Sequence, residues 1–431
     1  MLNESTIHIP GSKYIANRVI VLASLTEGKS IIHNVPDNQD INILIQALEN
    51  IGIRIAVQNS HNKSRELVIW GMYSKESNIG KKRKIDVGES GTLLRFTVGL
   101  ACLLDGVTTI TAGLRNQKRP IKPLIAALQT LGARIQFNST YPLCIHKGLT
   151  GGRVVIEGGT SSQFISSLLI VTPYSLKDSE IVVQKPVVSS HYINLTIREM
   201  QRFGVNVKSE DTEKTIVFRV KSGQKYLPVN TSLPKDWSSA NYLLAESVIL
   251  KKTIKIRNIN TDTNLGESKF VHFLQQMGCT VAIKPDSISI LHEQDIQLAG
   301  IEVDMKDSPD SVLTLVAVAV FARGQTVINN ISHLIHKESD RINQAAAELK
   351  KIGVMITTTE DSITILGKQP LIQGVTETHN DHRLAMCLGL IKLVNKDMKI
   401  KNADCVVKSF PSFWENINQF NMTGVEWLEI H

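Results

Sequence analysis

The sequence is poor in cysteine, the residue that forms the disulfides of small secreted domains and many zinc sites. Its five cysteines occur singly, with no Cys-x-x-Cys pair, so neither a disulfide framework nor a zinc site is indicated. No apolar run approaches the roughly 18 residues that a membrane helix needs, and Met1–Ser5 has no signal-peptide pattern. These features predict a cytoplasmic protein.

Aromatic residues are also scarce, at 5% of 431 residues. The net charge of +8 could suggest nucleic acid, but the one dense basic run, Lys81–Lys84, has no interleaved aromatic residues and is expected to be a solvated loop. A positive balance also suits an enzyme that gathers small anionic substrates, which we weigh first. The length allows two or three domains.

One pattern returns along the chain: an apolar helix, a glycine where the helix ends, and an alternating strand. The glycine suits the positive φ that a helix C-terminus often requires. The helix-ending glycines are Gly52, Gly132, Gly204, Gly278, Gly353 and, in a weaker copy, Gly424. The strands that interleave with them begin near Lys29, Val107, Glu180, Thr253, Thr326 and Met398. A fixed period of roughly 70 to 80 residues indicates one copied unit.

Each unit is interpreted as about β-α-β-α-β-β. Six units divide naturally as three and three, which predicts two similar α/β domains with a seam near Asn230–Asp236.

Polar loops precede the helices of every unit. The first helices open at Pro10–Lys13, Gly88–Thr92, Ser161–Gln163, Asp236–Ser239, Ser308–Ser311 and Asn380–Arg383. The second helices open at Asp37–Asp40, Arg115–Pro120, Ser189–Tyr192, Thr261–Thr263, Lys337–Arg341 and Lys408–Pro411. Helix capping explains the serines and aspartates of any single loop. It does not explain the cations, which a helix N-terminus does not favour.

Lys337–Arg341 is the most concentrated of these loops, with two cations and two carboxylates in five residues. A bound anion would share the exposed N–H groups and resolve the crowding of cations. The alternative is a solvated capping turn with Ser339 or Asp340 as the N-cap. Asp310, Glu338 and Asp381 could carry protons, or each could be a structural ion-pair partner.

No motif of nucleophilic, metal-dependent or dinucleotide chemistry is present. The sequence has no Gly-x-Ser-x-Gly, Walker A loop or His-Glu-x-x-His. The glycine-rich Gly88–Thr92 would by itself be a weak phosphate-loop signal.

Taken together, the loops resemble the 5-enolpyruvylshikimate-3-phosphate (EPSP) synthase family of enolpyruvyl transferases over nearly the whole chain. The matching motifs, in order, are Pro10–Lys13 with Asn17 and Arg18, Gly88–Arg95, Arg119-Pro120, Ser161–Phe164, Ser189 with Tyr192, Pro309-Asp310, Lys337–Arg341, Asn380–Arg383 and Lys408. Their number and order make the resemblance specific.

The resemblance implies a two-domain inside-out α/β fold, each domain holding three units about a pseudo-threefold axis. Residues 10–233 would form the N-terminal domain, and residues 1–9 with 234–431 the discontinuous C-terminal domain. The strand Thr6–Ile9 would return to complete the second domain, and the active site would lie in the cleft between the two. The expected protein is a monomer with no cofactor or metal.

The resemblance also implies the reaction and the residues that perform it. The enolpyruvyl group of phosphoenolpyruvate would move to the 5-hydroxyl of shikimate 3-phosphate, by addition and elimination through a tetrahedral intermediate, in chorismate and aromatic amino-acid biosynthesis. Phosphoenolpyruvate would bind Lys13, Gly91, Arg119, Gln163, Arg341, His382, Arg383 and Lys408. Shikimate 3-phosphate would bind Lys13, Tyr14, Arg18, Ser161, Ser162, Gln163, Ser189, Tyr192, Asp310, His333 and Lys337. Lys13, Asp310 and Glu338 would be catalytic, with the proton transfers divided among them and Lys337.

Three positions depart from the family pattern. Tyr14 stands where a serine is usual, and Glu89 and His333 where asparagine is common. Because tyrosine is bulkier than serine, an alternative function remains: a related enolpyruvyl transferase that acts on another phosphorylated cyclic alcohol. The enzyme acting on UDP-N-acetylglucosamine is disfavoured because Leu114–Lys118 lacks its reactive cysteine. A non-catalytic anion-binding relative would be expected to lose Asp310 or Glu338.

Overall fold

The computed structural model describes residues 9–59, 64–261, 265–292 and 297–418. The chain divides into two compact units, one formed by Gly11–Leu233 and the other by the described residues of Met1–Pro10 and Pro234–His431. Most of the expected strand Thr6–Ile9, the expected glycine Gly424 and part of the loop Thr261–Thr263 lie outside the described residues.

The unit Gly11–Leu233 alternates helices with short strands. In chain order its elements are α1 (Lys13–Ser24), β1 (Lys29–Val35), α2 (Gln39–Asn50), β2 (Arg54–Asn59), β3 (Arg65–Trp70), β4 (Lys82–Asp86), α3 (Gly91–Ala101), β5 (Val107–Thr111), α4 (Leu114–Lys118), α5 (Lys122–Thr130), β6 (Arg134–Gln136), β7 (Leu143–His146), β8 (Gly152–Glu157), α6 (Ser162–Val171), β9 (Ser179–Gln184), α7 (His191–Arg202), β10 (Val207–Asp211), β11 (Thr215–Val220) and β12 (Asn230–Ser232).

Its three sheets share one strand order. The orders are β12-β1-β3-β2, β4-β5-β7-β6 and β8-β9-β11-β10. In each sheet the first two strands are parallel and the remaining neighbours are antiparallel. In the first sheet the parallel edge strand is β12, which comes from the end of the unit and pairs with β1 from Ile31 opposite Asn230. The chain therefore closes this unit on itself before leaving it.

The second unit repeats the same scheme. Its elements are α8 (Trp237–Leu250), β13 (Lys255–Arg257), α9 (Phe270–Gln276), β14 (Thr280–Lys284), β15 (Ser287–Leu291), β16 (Glu302–Asp304), α10 (Val312–Ala319), β17 (Gln325–Asn329), α11 (Asn343–Lys350), β18 (Met355–Thr358), β19 (Ile363–Leu366), β20 (Val375–Glu377), α12 (His382–Lys392), β21 (Lys399–Lys401) and α13 (Phe413–Asn418). The sheet β16-β17-β19-β18 has the full order, and the described strands of the other two are β13-β15-β14 and β20-β21. The six sheets found among the described residues match the six predicted repeats.

The first helix of each repeat forms the core of its unit. In α6 and α10 nearly every residue is buried, as expected for helices that are apolar on all sides. Strands such as β4, β5 and β8 bury alternate residues, so one face of their sheets is exposed. Helices therefore lie inside each unit and sheets outside. Among the described residues, no helix is both long and apolar enough to cross a bilayer.

The predicted helix-ending glycines adopt the expected conformation. Their φ values lie between 85° and 99° at Gly52, Gly132, Gly204, Gly278 and Gly353. At Gly52 a Cβ atom would also lie 1.8 Å from the carbonyl oxygen of Asn78. Glycine at this position is thus required by backbone conformation and by close packing together.

The expectation of a solvated loop at Lys81–Lys84 was wrong. Lys82–Asp86 is strand β4, which pairs with β5 and alternates exposed and buried residues. Arg83 is 6% exposed and donates hydrogen bonds to Thr108 Oγ1 and to the carbonyl oxygen of Asp105. The basic composition concealed a period-two strand with an inward-facing arginine.

Glu246 of α8 is an unusual core residue. Its side chain is fully buried, and neither carboxylate oxygen has a hydrogen-bond partner among the described residues. Burial raises the pKa of this carboxyl to about 8, against the opposing charge of Lys252. The folded unit therefore holds Glu246 in its protonated form at neutral pH.

Replacement Glu246→Gln is expected to change how stability depends on pH. Between pH 4.5 and about 8 the unfolded carboxyl ionises while the folded one stays protonated, so the wild type loses stability with rising pH and the variant does not. The difference in unfolding free energy reaches up to about 4 kcal/mol. Calorimetric melting at pH 5 and pH 8 measures it.

Glu360→Gln, at an exposed turn, is the matched control and should melt like the wild type at both pH values. Equal pH dependence of melting in Glu246→Gln and the wild type would contradict the prediction.

Candidate functional site

The polar loops open the six central helices as predicted. These helices begin at Lys13, Gly91, Ser162, Trp237, Val312 and His382. Ser161, Asp236 and Asp381 accept hydrogen bonds from backbone N–H groups at their helix starts. The capping interpretation therefore holds for these three residues, while the cations of the loops need a separate account.

In the unit Gly11–Leu233, Lys13 is held by a carboxylate that the sequence did not single out. Its Nζ lies 3.0 Å from Oδ2 of Asp40, and both side chains are largely buried. The same loop caps its own helix through Asn38, whose Oδ1 accepts from the N–H of Ile41. The predicted cap and a charged partner for Lys13 thus occupy one loop.

Arg18 donates three hydrogen bonds to neutral groups. Its Nε donates to Thr196 Oγ1 at 2.7 Å, and its Nη1 and Nη2 donate to the carbonyl oxygens of Tyr14 and Tyr192 at 2.8 and 3.1 Å. Arg18 is 3% exposed. None of these three hydrogen bonds neutralises the guanidinium charge.

Arg119 packs directly on the first residue of α3. A Cβ atom at Gly91 would lie 2.1 Å from Nη1 of Arg119, so a larger residue there would require the guanidinium to shift. Arg95 donates to the carbonyl oxygen of Gly91 at 2.9 Å and to that of Pro120. The predicted Gly91 and Arg119 are therefore neighbours, joined by an arginine of the same motif.

The serine loops place short polar side chains at two helix starts. Ser161 and Ser162 open α6, where Gln163 donates to Thr92 Oγ1 at 2.9 Å. Ser189 precedes α7 with φ of 53° and is 4% exposed. Exposed N–H groups and hydroxyls at helix N-termini suit an oxyanion such as phosphate.

Tyr14 forms an aromatic contact with another predicted site residue. The ring centroids of Tyr14 and Tyr192 are 4.9 Å apart, and Nζ of Lys13 lies 5.8 Å from the Tyr14 ring. Tyr14 is thus part of the packing around the predicted binding residues.

In the other unit, Arg341 joins three carboxylates. It donates from Nη1 to Asp310 at 2.9 Å, from Nη2 to Glu338 at 2.8 Å, and from Nε to Asp381 at 2.8 Å. Arg341 is 1% exposed. Burial lowers its pKa, but Asp381, Glu338 and Asp310 outweigh burial and raise it. The guanidinium therefore stays charged in the interior.

Asp381 is the most buried of the three, with 0% exposure. Besides two hydrogen bonds from Arg341, it accepts from Ser339 Oγ and from the N–H of Arg383. This carboxylate thus caps α12 and fixes Arg341 at the same time.

Further cations surround the other two carboxylates. Nη2 of Arg383 lies 3.7 Å from Asp310, and Nζ of Lys408 lies 3.5 Å from Glu338. Three carboxylates therefore face three cations. All three carboxylates thus have the cationic partners expected of ion pairing, and a proton-carrying role for them stays a prediction.

The remaining residues of the Lys337–Arg341 stretch precede α11. Oδ1 of Asp340 accepts from the N–H groups of Ile342 and Asn343, so the capping interpretation is correct for Asp340. Lys337 follows the 3-10 turn Ser332–His336. Within this stretch, Asp340 therefore caps α11, while Glu338, Ser339 and Arg341 belong to the carboxylate cluster.

His333, in the same turn, is 8% exposed. Burial and the nearby charge of Lys337 lower its pKa to about 3. Its imidazole is therefore neutral at ordinary pH and can donate one hydrogen bond and accept another. In the described part of the chain, no three His, Cys, Asp or Glu residues are placed to hold a metal ion.

Sequence reasoning missed Asp40 and Thr196 as partners of Lys13 and Arg18. Asp40 stood in a loop that had been interpreted as a cap, and Thr196 lies inside a helix with no motif around it. The 27- and 178-residue separations from their partners left no local signal.

Known proteins match this chain over almost all of it. The family model described as EPSP synthase (3-phosphoshikimate 1-carboxyvinyltransferase) matches residues 3–417. The chain belongs to the EPSP synthase family. The 3-phosphoshikimate 1-carboxyvinyltransferase of Buchnera aphidicola subsp. Cinara cedri is 36% identical over 96% of this chain and 94% of that protein. The enzyme of that name from Xenorhabdus nematophila is 33% identical over 97% and 96%.

Solved structures agree with this membership. EPSP synthase from Acinetobacter baumannii superposes with a TM-score of 0.76 at 25% identity, covering 96% of this chain and 94% of that one. The enolpyruvyl transferase NikO from Streptomyces tendae gives 0.73 at 15% identity over 97% and 95%, which shows the shared fold. The predicted EPSP synthase resemblance and the inside-out α/β fold class are confirmed.

Replacement Arg341→Gln is expected to destabilise its unit strongly. It leaves Asp381 buried without its cation, which typically costs about 3–5 kcal/mol. Thermal unfolding followed by calorimetry measures the loss. Arg323→Gln, at an exposed arginine of the same unit, is the control and should melt like the wild type. A melting temperature of Arg341→Gln equal to that of Arg323→Gln would contradict the role given to Arg341.

Proposed function

We propose that the chain performs the reaction for which its family is named. It transfers the enolpyruvyl group of phosphoenolpyruvate to the 5-hydroxyl of shikimate 3-phosphate and releases phosphate, in the shikimate pathway of aromatic amino-acid biosynthesis. The observation that carries this proposal is the family match over residues 3–417. Asp310 and Glu338, two of the three carboxylates on Arg341, supply acid–base groups that the reaction needs.

Cations of both units suit the two anionic substrates. Phosphoenolpyruvate is proposed to use Lys13, Gly91, Arg119, Gln163, Arg341, His382, Arg383 and Lys408. Shikimate 3-phosphate is proposed to use Lys13, Tyr14, Arg18, Ser161, Ser162, Gln163, Ser189, Tyr192, Asp310, His333 and Lys337. Two polyanions repel each other in water, and fixed positive charge offsets that repulsion and stabilises the departing phosphate. Support comes from the paired Gly91 and Arg119 and from the neutral partners of Arg18.

Asp310 and Glu338 are the proposed proton carriers. Each has one oxygen on Arg341 and another near a second cation. Their side chains are 13% and 14% exposed, whereas Asp381 is 0% exposed. The two outer carboxylates are therefore accessible to a reacting group, and the inner one supports their arginine.

The reaction then takes two steps. One base removes the proton of the 5-hydroxyl as its oxygen attacks C2 of phosphoenolpyruvate, while an acid protonates C3 and turns the methylene into a methyl group. The tetrahedral intermediate next loses phosphate from C2 and a proton from that methyl group, which gives the enol ether. Lys13 and Lys337 are further candidates for these proton transfers, and no step draws on a metal or an organic cofactor.

The proposal also covers the domains, the cellular location and the oligomeric state of the protein. Residues 10–233 and residues 1–9 with 234–431 are proposed as the two functional domains. The division between Leu233 and Pro234 supports one of these limits, and the other division falls one residue later, after Pro10. The protein is proposed to act as a cytoplasmic monomer.

Phosphate release from phosphoenolpyruvate tests the function directly. We expect release with shikimate 3-phosphate, and none with UDP-N-acetylglucosamine or without acceptor. Asp310→Asn and Glu338→Gln should each lower the rate about 10²- to 10⁴-fold, since each removes an acid–base group. The matched control is Asp340→Asn, in the same stretch, because asparagine preserves the cap of α11.

Full activity in Asp310→Asn or Glu338→Gln would contradict the role given to that carboxylate. Release with another acceptor in place of shikimate 3-phosphate would contradict the acceptor and direct attention to Tyr14.

His333 should not contribute to the pH profile. Because its pKa is lowered to about 3, the imidazole becomes cationic only in strong acid and is neutral throughout pH 5–8. The ratio of kcat/KM between wild type and His333→Asn should therefore stay constant over that range. An inflection near pH 6.5 that is present in the wild type and absent from the variant would contradict this expectation.

A further inference from the structure

Thr196, in the middle of α7, lies in a buried hydroxyl pair. Its Oγ1 is 2.8 Å from Oγ of Ser166 on α6, and both residues are 0% exposed. Buried hydroxyls cost free energy unless they are hydrogen-bonded. These two satisfy each other and hold the two helices in a fixed relation.

The same hydroxyl closes a ring with Arg18. Arg18 Nε donates to Thr196 Oγ1 at 2.7 Å, and Arg18 Nη2 donates to the carbonyl oxygen of Tyr192 at 3.1 Å. Thr196 Oγ1 donates to that carbonyl oxygen at 2.8 Å. One edge of the guanidinium thus contacts two oxygens that are themselves joined, and its plane is fixed.

The hydrogen-bond donor and acceptors of the Thr196 hydroxyl are all in use. A threonine hydroxyl has one donor and two acceptor lone pairs. With its proton on the carbonyl oxygen of Tyr192, its lone pairs accept from Arg18 Nε and from Ser166. Every capacity of the hydroxyl is then used, and no side chain lacking an oxygen can replace it.

We propose that Thr196 is a positioning residue that orients Arg18 for shikimate 3-phosphate. The inference rests on the proposed function, because it takes Arg18 to bind that substrate. Without an oxygen at position 196, the buried Nε loses its acceptor and the guanidinium turns to find another. Nη1 and Nη2 then leave the orientation in which they meet the substrate.

Direct binding of shikimate 3-phosphate, measured by titration calorimetry, tests this role. Thr196→Val keeps the shape of the side chain and removes its oxygen, and is expected to weaken binding about 10- to 100-fold. Thr196→Ser keeps the oxygen and should bind within about threefold of the wild type. The KM for phosphoenolpyruvate should change less than twofold in both variants, roughly the scatter expected of uncoupled sites.

Thr97→Val is the matched control. Thr97 is a buried threonine of α3 in the same unit, and its hydroxyl likewise donates to the carbonyl oxygen four residues earlier, that of Leu93. Loss of this hydrogen bond should leave binding of shikimate 3-phosphate unchanged. Equal weakening in Thr97→Val and Thr196→Val would overturn the proposal, since a general effect on packing would then explain both.

A double-mutant cycle separates this inference from the function on which it rests. If Thr196 acts through Arg18, Thr196→Val should add nothing to the weakening caused by Arg18→Ala. Additive losses, or wild-type affinity in Thr196→Val, would overturn the inference while leaving the proposed function intact. Absence of binding by the wild-type protein would overturn the proposed function, and this inference with it.

Discussion

A buried guanidinium keeps its charge, so the structure around Arg341 has to supply compensating negative charge. The three carboxylates that do so come from separate places: the loop before α10, the stretch before α11 and the start of α12. Arg341 thereby joins two of the repeats in its unit. Asp381, fully buried, performs the structural part of this work. Because Asp381 fixes Arg341, the arginine can hold the more accessible Asp310 and Glu338 in place. Each of these two carboxylates also has an oxygen near a further cation, and the proposed proton transfers require this arrangement.

Two of the buried arginines of the predicted site, Arg18 and Arg341, are held in opposite ways. Arg341 donates to carboxylates, whereas Arg18 donates three hydrogen bonds to two carbonyl oxygens and a hydroxyl. Neutral acceptors fix a guanidinium without cancelling its charge. An arginine with neutral partners keeps positive charge available for an anionic ligand. An arginine paired with carboxylates instead fixes the positions of those carboxylates. The contrast agrees with the proposal that Arg18 binds the phosphorylated acceptor and that Asp310 and Glu338, which Arg341 holds, take part in the proton transfers.

Features that depend on a few consecutive residues could be predicted from the sequence, whereas contacts between residues far apart in the chain could not. The helix-ending glycines and the six polar helix starts depend on the conformation of a few consecutive residues, so the repeats could be predicted. The ordered motifs then predicted the family. Two partners of Arg341, Asp310 and Asp381, lie 31 and 40 residues away and the hydroxyl of Thr196 lies 178 residues from Arg18, so no local pattern could reveal these contacts. Strand β4 was missed because its charged composition outweighed the alternation of Arg83 and Ile85.

The central claim is that the chain adds the 5-hydroxyl of shikimate 3-phosphate to phosphoenolpyruvate and then eliminates phosphate. The most direct test is to run the reaction in D₂O and analyse the product by mass spectrometry and NMR. Addition places a solvent-derived deuteron on C3, and elimination removes one of the three hydrogens of the resulting methyl group. The account therefore predicts an enolpyruvyl ether of shikimate 3-phosphate that carries deuterium in its methylene group. A product without deuterium at that carbon, or no such ether, would contradict it.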